Sequence, residues 1–158
     1  HGIEHCNGKY IIMGDADDSY NFLELSLFIE RLQAGYDMVM GNRFAGGITK
    51  GAMPWLHRYV GNPFLSSLGR FLFKNNIGDF HCGLRAFTKK CYNIINPQCN
   101  GMEFASELVA LASIHQMRIC EIPVILYPDG RKRRPHLRSW RDGFRHMVLL
   151  YSLYLLRN

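Results

Sequence analysis

The 158-residue sequence predicts an α/β layer fold on three observations. Apolar runs of strand length alternate with segments whose apolar residues recur at helical spacing, the pattern of strands layered against helices. Glycine-rich or polar stretches separate these segments, as connections do. Hydrophobic residues make up 47% and charged residues 20%, which supplies a core and argues against disorder. The length is that of one domain, and no repeat or low-complexity tract interrupts it.

The elements follow in order. Tyr10 to Gly14 (YIIMG) is a buried strand, and the acidic turn Asp15 to Ser19 follows it. Phe22, Leu25, Phe28, Ile29 and Leu32 have helical spacing, with Gly35 placed to end that helix. Asp37 to Met40 (DMVM) is a second strand, and Gly41 to Met53 reads as a loop. Pro54 can open a helix running to about Phe73. Gly78 to Arg85 is irregular, and Ala86-Phe87 returns to apolar. Glu103 to His115 is a helix, and Arg118 to Tyr127 (RICEIPVILY) is a strand whose Pro123 suggests an edge or a bulge. Pro128 to Pro135 is a basic loop, and Trp140 to Leu156 is a helix that grows steadily more apolar. In such a fold, ligands sit beyond the carboxyl ends of the strands.

The formal charge of +6 points to an anionic partner: nucleic acid, a lipid surface or a phosphorylated ligand. Seven of the 19 Lys and Arg residues fall between Arg131 and Arg145, just before the apolar run Met147 to Leu156. A basic flank beside an apolar helix, with Trp140 near its start, reads as a cytosolic membrane-surface element. The run is shorter than the roughly 20 residues that span a bilayer, so the readings are an interfacial helix, the start of a spanning one, or an ordinary core helix. Nucleic acid is disfavoured, because no binding motif and no interleaved aromatics accompany the basic cluster. Cys6, Cys82, Cys91, Cys99 and Cys120 are odd in number and include no Cys-x-x-Cys pair, which argues for reduced thiols.

Asp15-Ala16-Asp17-Asp18 directly follows a strand. Clustered carboxylates repel unless a cation sits between them, and their hard oxygens suit magnesium or manganese. Residues two apart on extended chain point the same way, so Asp15 and Asp17 can share one ion, with a diphosphate supplying further ligands. An EF-hand fails, because Tyr20 and Ser26 stand where that loop needs Gly and Glu. A phosphatase with an aspartyl nucleophile remains open on this segment alone, as does a solvated turn with Asp18 or Ser19 capping the next helix.

The stretches GKYIIMGDADDSY, DMVMGNRFAGG, GDFHCGLRAF and EIPVILYPDGR, in this order and spacing, resemble family 2 glycosyltransferases, nearest the polyprenyl-phosphate mannose and glucose synthases. The resemblance covers nearly the whole chain. It implies a partial GT-A fold, with residues 1–139 the metal- and acceptor-binding part of the catalytic domain; the membrane-proximal amphipathic carboxy-terminal helix read above, residues 140–158, is a membrane-interface helix or the start of a transmembrane helix. It also implies inverting transfer of a hexose from a UDP- or GDP-linked nucleotide sugar to a polyprenyl phosphate at the cytosolic membrane face, with Mg2+ or Mn2+ on Asp15 and Asp17. Arg43 matches an arginine near the phosphates, Arg58 a second arginine and Asn62 a small polar residue on the acceptor side. Arg131 matches a basic residue on a loop thought to close over donor and acceptor. Ser19 stands where the family often has Gln, a third metal ligand.

The lipid phosphate is already anionic and needs positioning next to a diphosphate rather than a strong base, which arginines supply through bidentate contacts. Asp79 is expected to organise its loop, against Arg85. Glu103, Glu107, His57 and His81 are lesser candidates. The opening segment does not read as a signal peptide or a natural start, and the family's amino-terminal β-α-β portion that holds base and ribose is not in the sequence. The expectation is a fragment with weak turnover in isolation and apolar sheet surface left exposed; a homo-oligomer is compatible. The rival readings are a non-catalytic membrane-surface module, which would keep lipid binding without Asp15 and Asp17, and a metal-dependent phosphatase.

Overall fold

The computed structural model describes residues 2–130 and 139–157. Four strands form one mixed sheet in the order β1-β3-β2-β4: β1 is Tyr10–Met13, β2 Met38–Asn42, β3 Arg85–Thr88 and β4 Ile119–Pro123. β3 runs antiparallel to both β1 and β2, and β2 runs parallel to β4. β1, β2 and β4 therefore point the same way and β3 points back. The carboxyl ends of three strands and the amino end of the fourth meet at one sheet edge, where the loops after Met13, Asn42 and Pro123 converge with the loop before Arg85.

The helices are α1 (Leu25–Gln33), α2 (Arg43–Gly46), α3 (Asn62–Phe73), α4 (Lys89–Ile95), α5 (Phe104–Ile114) and α6 (Ser139–Arg157). α1 is led in by a 3-10 turn, Phe22–Glu24, capped by the Asn21 side chain accepting from the Leu23 N–H. Asn21, rather than Asp18 or Ser19, is thus the cap. Asp18 instead takes a left-handed backbone, φ +62°, that reverses the acidic turn. Gly35 follows α1 with φ +91°, a conformation that costs a residue with a side chain. The stretch expected as one loop after β2 contains α2, because Asn42 accepts the Ala45 N–H and starts a helical turn. The helix expected from Pro54 is present, but His57–Gly61 winds as a π turn before α3 begins. β4 is an edge strand that stops at Pro123, short of the expected Tyr127. Leu126 makes only an isolated bridge to Ile48.

Burial explains the order. Met38, Val39 and Met40 of β2 are fully enclosed, as a strand covered on both faces must be. On one face they pack with Phe80, Phe87, Leu108 and Val109, and on the other with Phe28, Leu32, Leu84 and Ile122. A smaller cluster of Leu72, Phe73, Ala110 and Leu150 joins α3, α5 and α6.

α6 is amphipathic the wrong way round for water. Its buried face holds Asp142 and His146 beside Leu150, while Phe144, Val148, Tyr151 and Leu155 are exposed at positions that share its outer face. Among the described residues, no helix is long and apolar enough to cross a membrane. All five cysteines are free thiols.

Candidate active site

The acidic turn lies at the convergent edge. Asp15 is exposed and Asp17 half-buried. The Asp17 carboxylate is oriented locally, since its Oδ1 accepts from the Ser19 N–H at 3.2 Å and the Ser19 hydroxyl at 2.5 Å. Asp15 rests on Gly83: a Cβ there would lie 1.9 Å from Asp15 Oδ2, so only glycine leaves this carboxylate its seat. Tyr20 sews the same turn to the same loop. Its buried hydroxyl accepts the Gly83 N–H at 3.1 Å and lies near Cys82 Sγ. Burial chiefly, with the neighbouring Cys82 second, raises the Tyr20 pKa, and burial pushes the Cys82 thiol up to about 11, so both stay protonated near neutrality.

The segment after β4 is tied to the turn as well. The Tyr127 N–H donates to Ser19 O at 3.0 Å and the Gly130 N–H to Asp17 O at 2.9 Å. The described chain therefore approaches the basic segment from a point fixed on the acidic turn. Arg131 itself lies outside the described residues.

Arg43 opens α2 at the end of β2 and is buried. It pairs bidentately with Asp79, Nε to Oδ2 at 2.7 Å and Nη2 to Oδ1 at 2.8 Å. Burial alone would lower its pKa, but the hydrogen bonds and charge of Asp79 outweigh that and raise it, so Arg43 stays charged. Its charge bears in turn on Tyr20, Cys82 and His57. The expected partnership of Asp79 with Arg85 is not formed. Arg85 is equally buried, but it donates through Nη1 to Ala105 O at 3.2 Å and through Nη2 to Cys82 O. The reason is directional: Arg85 enters β3 as Asp79 turns back toward the end of β2.

The remaining candidates divide. Arg58 and His57 sit in the π turn, a geometry frequent at functional sites. Arg58 Nη1 reaches Ile48 O at 3.4 Å, and its guanidinium lies over the Tyr59 ring. Burial and the Arg43 charge lower the pKa of His57. Asn62 contacts Met53 Sδ at 3.5 Å. Glu107 accepts the Gln98 and Cys99 N–H groups through its two oxygens, and Glu103 pairs through Oε1 with Arg145 at 2.5 Å while its Oε2 is buried without a hydrogen-bond partner among the described residues.

His81 turns from the acidic turn toward the helices. Its Nε2 lies 3.0 Å from Ser106 Oγ on α5, which lies 2.8 Å from His146 Nδ1 on α6, and the two rings meet edge to face at 4.8 Å. The loop from Gly78 to Leu84 thus has two faces, one toward Arg43 and Asp15, the other toward α6.

Sequence reasoning missed Tyr20, Gly83 and Glu121. Glu121 accepts the Gly78 and Asp79 N–H groups at 2.9 and 3.0 Å. A lone carboxylate inside RICEIPVILY was its available signal.

The donor set fits a hard divalent cation in one specific sense. Among the described residues, no group of three or more His, Cys, Asp or Glu side chains is arranged to hold a metal. Two carboxylates, one seated on a bare glycine and one oriented by Ser19, suit an ion that takes its other ligands from phosphate and water.

Residues 1–94 match the family model for glycosyl transferase family 2. The chain is 37% identical over 148 residues to the low-salt glycan biosynthesis hexosyltransferase Agl6 of Haloferax volcanii, covering 93% of this chain and 35% of that protein. It is 32% identical to a dolichyl-phosphate hexose transferase of the same organism, covering 72% of this chain and 48% of that one. Its fold superposes with a TM-score of 0.71 at 14% identity on glucosyl-3-phosphoglycerate synthase from Mycobacterium tuberculosis, crystallised with Mn2+, UDP-glucose and phosphoglyceric acid, over 97% of this chain and 52% of that one. The chain spans about a third to a half of these relatives' lengths, and its architecture is that of a partial GT-A domain.

Proposed function

The chain belongs to glycosyl transferase family 2, and from that premise we propose that it forms the metal- and acceptor-binding portion of an enzyme moving a hexose from a UDP- or GDP-linked donor to a polyprenyl phosphate, with inversion. One observation carries this reading: the Asp15–Asp17 turn, the Arg43 that Asp79 holds and the root of the basic segment at Gly130 all converge on one sheet edge. The relative named dolichyl-phosphate hexose transferase supports the acceptor class.

In this reading Asp15 and Asp17 hold Mg2+ or Mn2+ together with the donor diphosphate. When bound, such an ion neutralises the charge that grows on the departing nucleoside diphosphate. The protein's own contribution is placement. Asp79 occupies Nε and Nη2 of Arg43, which leaves Nη1 for a phosphate. Arg58 serves as a second arginine beside Arg43 and Arg131 as a basic residue over donor and acceptor, where two anions must be brought together before the acceptor oxygen attacks the anomeric carbon. In this reading residues 1–139 form the metal- and acceptor-binding part of the catalytic domain, and residues 140–158 a membrane-interface helix or the start of a transmembrane one. The outward stripe of Phe144, Val148, Tyr151 and Leu155 supports docking of α6 on the cytosolic membrane face. An amino-terminal portion would bind base and ribose, so the isolated chain would turn over poorly.

The test uses a version carrying an amino-terminal nucleotide-binding portion, in membranes, with radiolabelled UDP-glucose or GDP-mannose, undecaprenyl phosphate and Mn2+. Label entering the lipid phase that depends on Mn2+ and is lost in Asp17→Ala is the expected result. Lipid binding that survives Asp17→Ala, with no transfer from any donor, would sink the reading in favour of a membrane-binding module.

A further inference from the structure

Asp79 is fully buried and its carboxylate is saturated. Oδ2 accepts from the Arg43 backbone N–H at 3.1 Å and from Arg43 Nε at 2.7 Å. Oδ1 accepts from Arg43 Nη2 at 2.8 Å and from the His81 N–H at 3.2 Å. A carboxylate offers about four lone-pair sites, so Asp79 has no acceptor left for a metal or a substrate proton. What it does, it does through Arg43.

Asp79 is itself held. Glu121, opposite Met40 in the β2–β4 pairing, reaches over the sheet edge, and its Oε1 accepts the N–H groups of both Gly78 and Asp79. β4 thereby fixes the loop, the loop fixes Asp79, and Asp79 fixes a guanidinium at the end of the neighbouring strand. A buried arginine without this clamp has neither a fixed rotamer nor a partner for its charge.

We propose that Asp79 and Glu121 are positioning residues for donor binding, Asp79 by clamping Arg43 and Glu121 by fixing the loop that carries Asp79. This rests on the reading of Arg43 as a donor-diphosphate ligand. Neither carboxylate touches the reacting atoms.

The experiment measures kcat and KM for donor and for acceptor in the complete membrane enzyme. Asp79→Asn is expected to raise the donor KM tenfold or more while the acceptor KM stays within twofold, a split that general loosening of the fold would not give. Asp79→Asn added to Arg43→Ala is expected to cost no further activity. Glu121→Ala is expected to raise the donor KM several-fold, with Glu121→Gln recovering most of it, because an amide oxygen still accepts both N–H groups. Should Asp79→Asn fail to fold, the Glu121 pair carries the test alone.

Equal changes in both KM values, an added loss on the Arg43→Ala background, or Glu121→Gln as impaired as Glu121→Ala would overturn the proposal. A wild-type enzyme active while Asp79→Asn is unchanged overturns it alone. A wild-type enzyme inactive with every donor overturns the transferase reading and this proposal with it.

Discussion

Replacing Gly83 by alanine isolates the seat of Asp15. Gly83 does not adopt a left-handed backbone, so alanine brings no conformational strain of its own. Its Cβ would stand 1.9 Å from Asp15 Oδ2 and 2.5 Å from Cγ. The oxygen must retreat by about 1.1 Å merely to reach 3.0 Å, a separation that real Cβ atoms already rarely go below. Asp15 is exposed and its carboxylate ends a short rotatable side chain, so it is the group that yields. The substitution should therefore leave the melting temperature within a few degrees of wild type and displace one of the two carboxylates proposed to hold the metal. Disturbing what orients a metal ligand typically weakens affinity about 10–100-fold, which corresponds to roughly 1.4–2.7 kcal/mol. The assay is a titration of Mn2+ by electron paramagnetic resonance in the presence of inorganic pyrophosphate, with Asp15→Asn as reference. Affinity within twofold of wild type, while Asp15→Asn loses binding, would refute the reasoning. So would a collapse in melting temperature, because it would mean that Asp15 cannot swing aside.

Three further outcomes follow from the packing. Burial lowers the pKa of both His81 and His146; around His146, Glu103 and Asp142 oppose that effect and Arg145 adds to it, while His146, Arg43 and Arg85 add to it at His81. Both rings are therefore neutral in the fold, and the stability they contribute is complete above the unfolded value of about 6.5 and is lost as pH falls through the folded values. Melts between pH 7.5 and 5 should show a steeper decline for wild type than for His146→Gln, and parallel curves would count against it. Tyr20→Phe leaves the buried Gly83 N–H without its acceptor and should destabilise by about 1–3 kcal/mol in urea unfolding. Leu150→Ala empties the fully buried contact of α6 with α3 and α5 and should destabilise by about 2–5 kcal/mol in the same assay.

Strong periodicity made much of the fold legible. α1 and α5 announce themselves by apolar residues at helical spacing, and β2 by an unbroken apolar run. α4 was not legible, because KKCYNII shows neither period clearly; its start is set by Thr88 accepting the Cys91 N–H. α2 is a single turn whose existence depends on one asparagine cap. At the site, the acidic turn could be found because carboxylates clustered directly after a strand repel one another and so stand out in the sequence. The partner of Arg43 could not, since Asp79 lies 36 residues away and reaches it only because β3 inserts between β1 and β2. Chain proximity favoured Arg85 for Asp79, and the reversal of direction into β3 is what separates them. Gly83 and Tyr20 act through contacts with the acidic turn that no local pattern encodes.

The two faces of the Gly78–Leu84 loop give α6 a mechanical connection to the chemistry. Only Phe80 stands between Asp79, which grips Arg43, and His81, whose ring is wedged against Ser106 and His146. A polar joint of this kind does not slide as an apolar contact does; it holds its register or it breaks. Travel of α6 relative to α5 must therefore either separate His146 from Ser106 or pull on a segment one residue away from the guanidinium clamp. The seat of α6 and the clamp on Arg43 thus share one short stretch of backbone, Asp79 to His81.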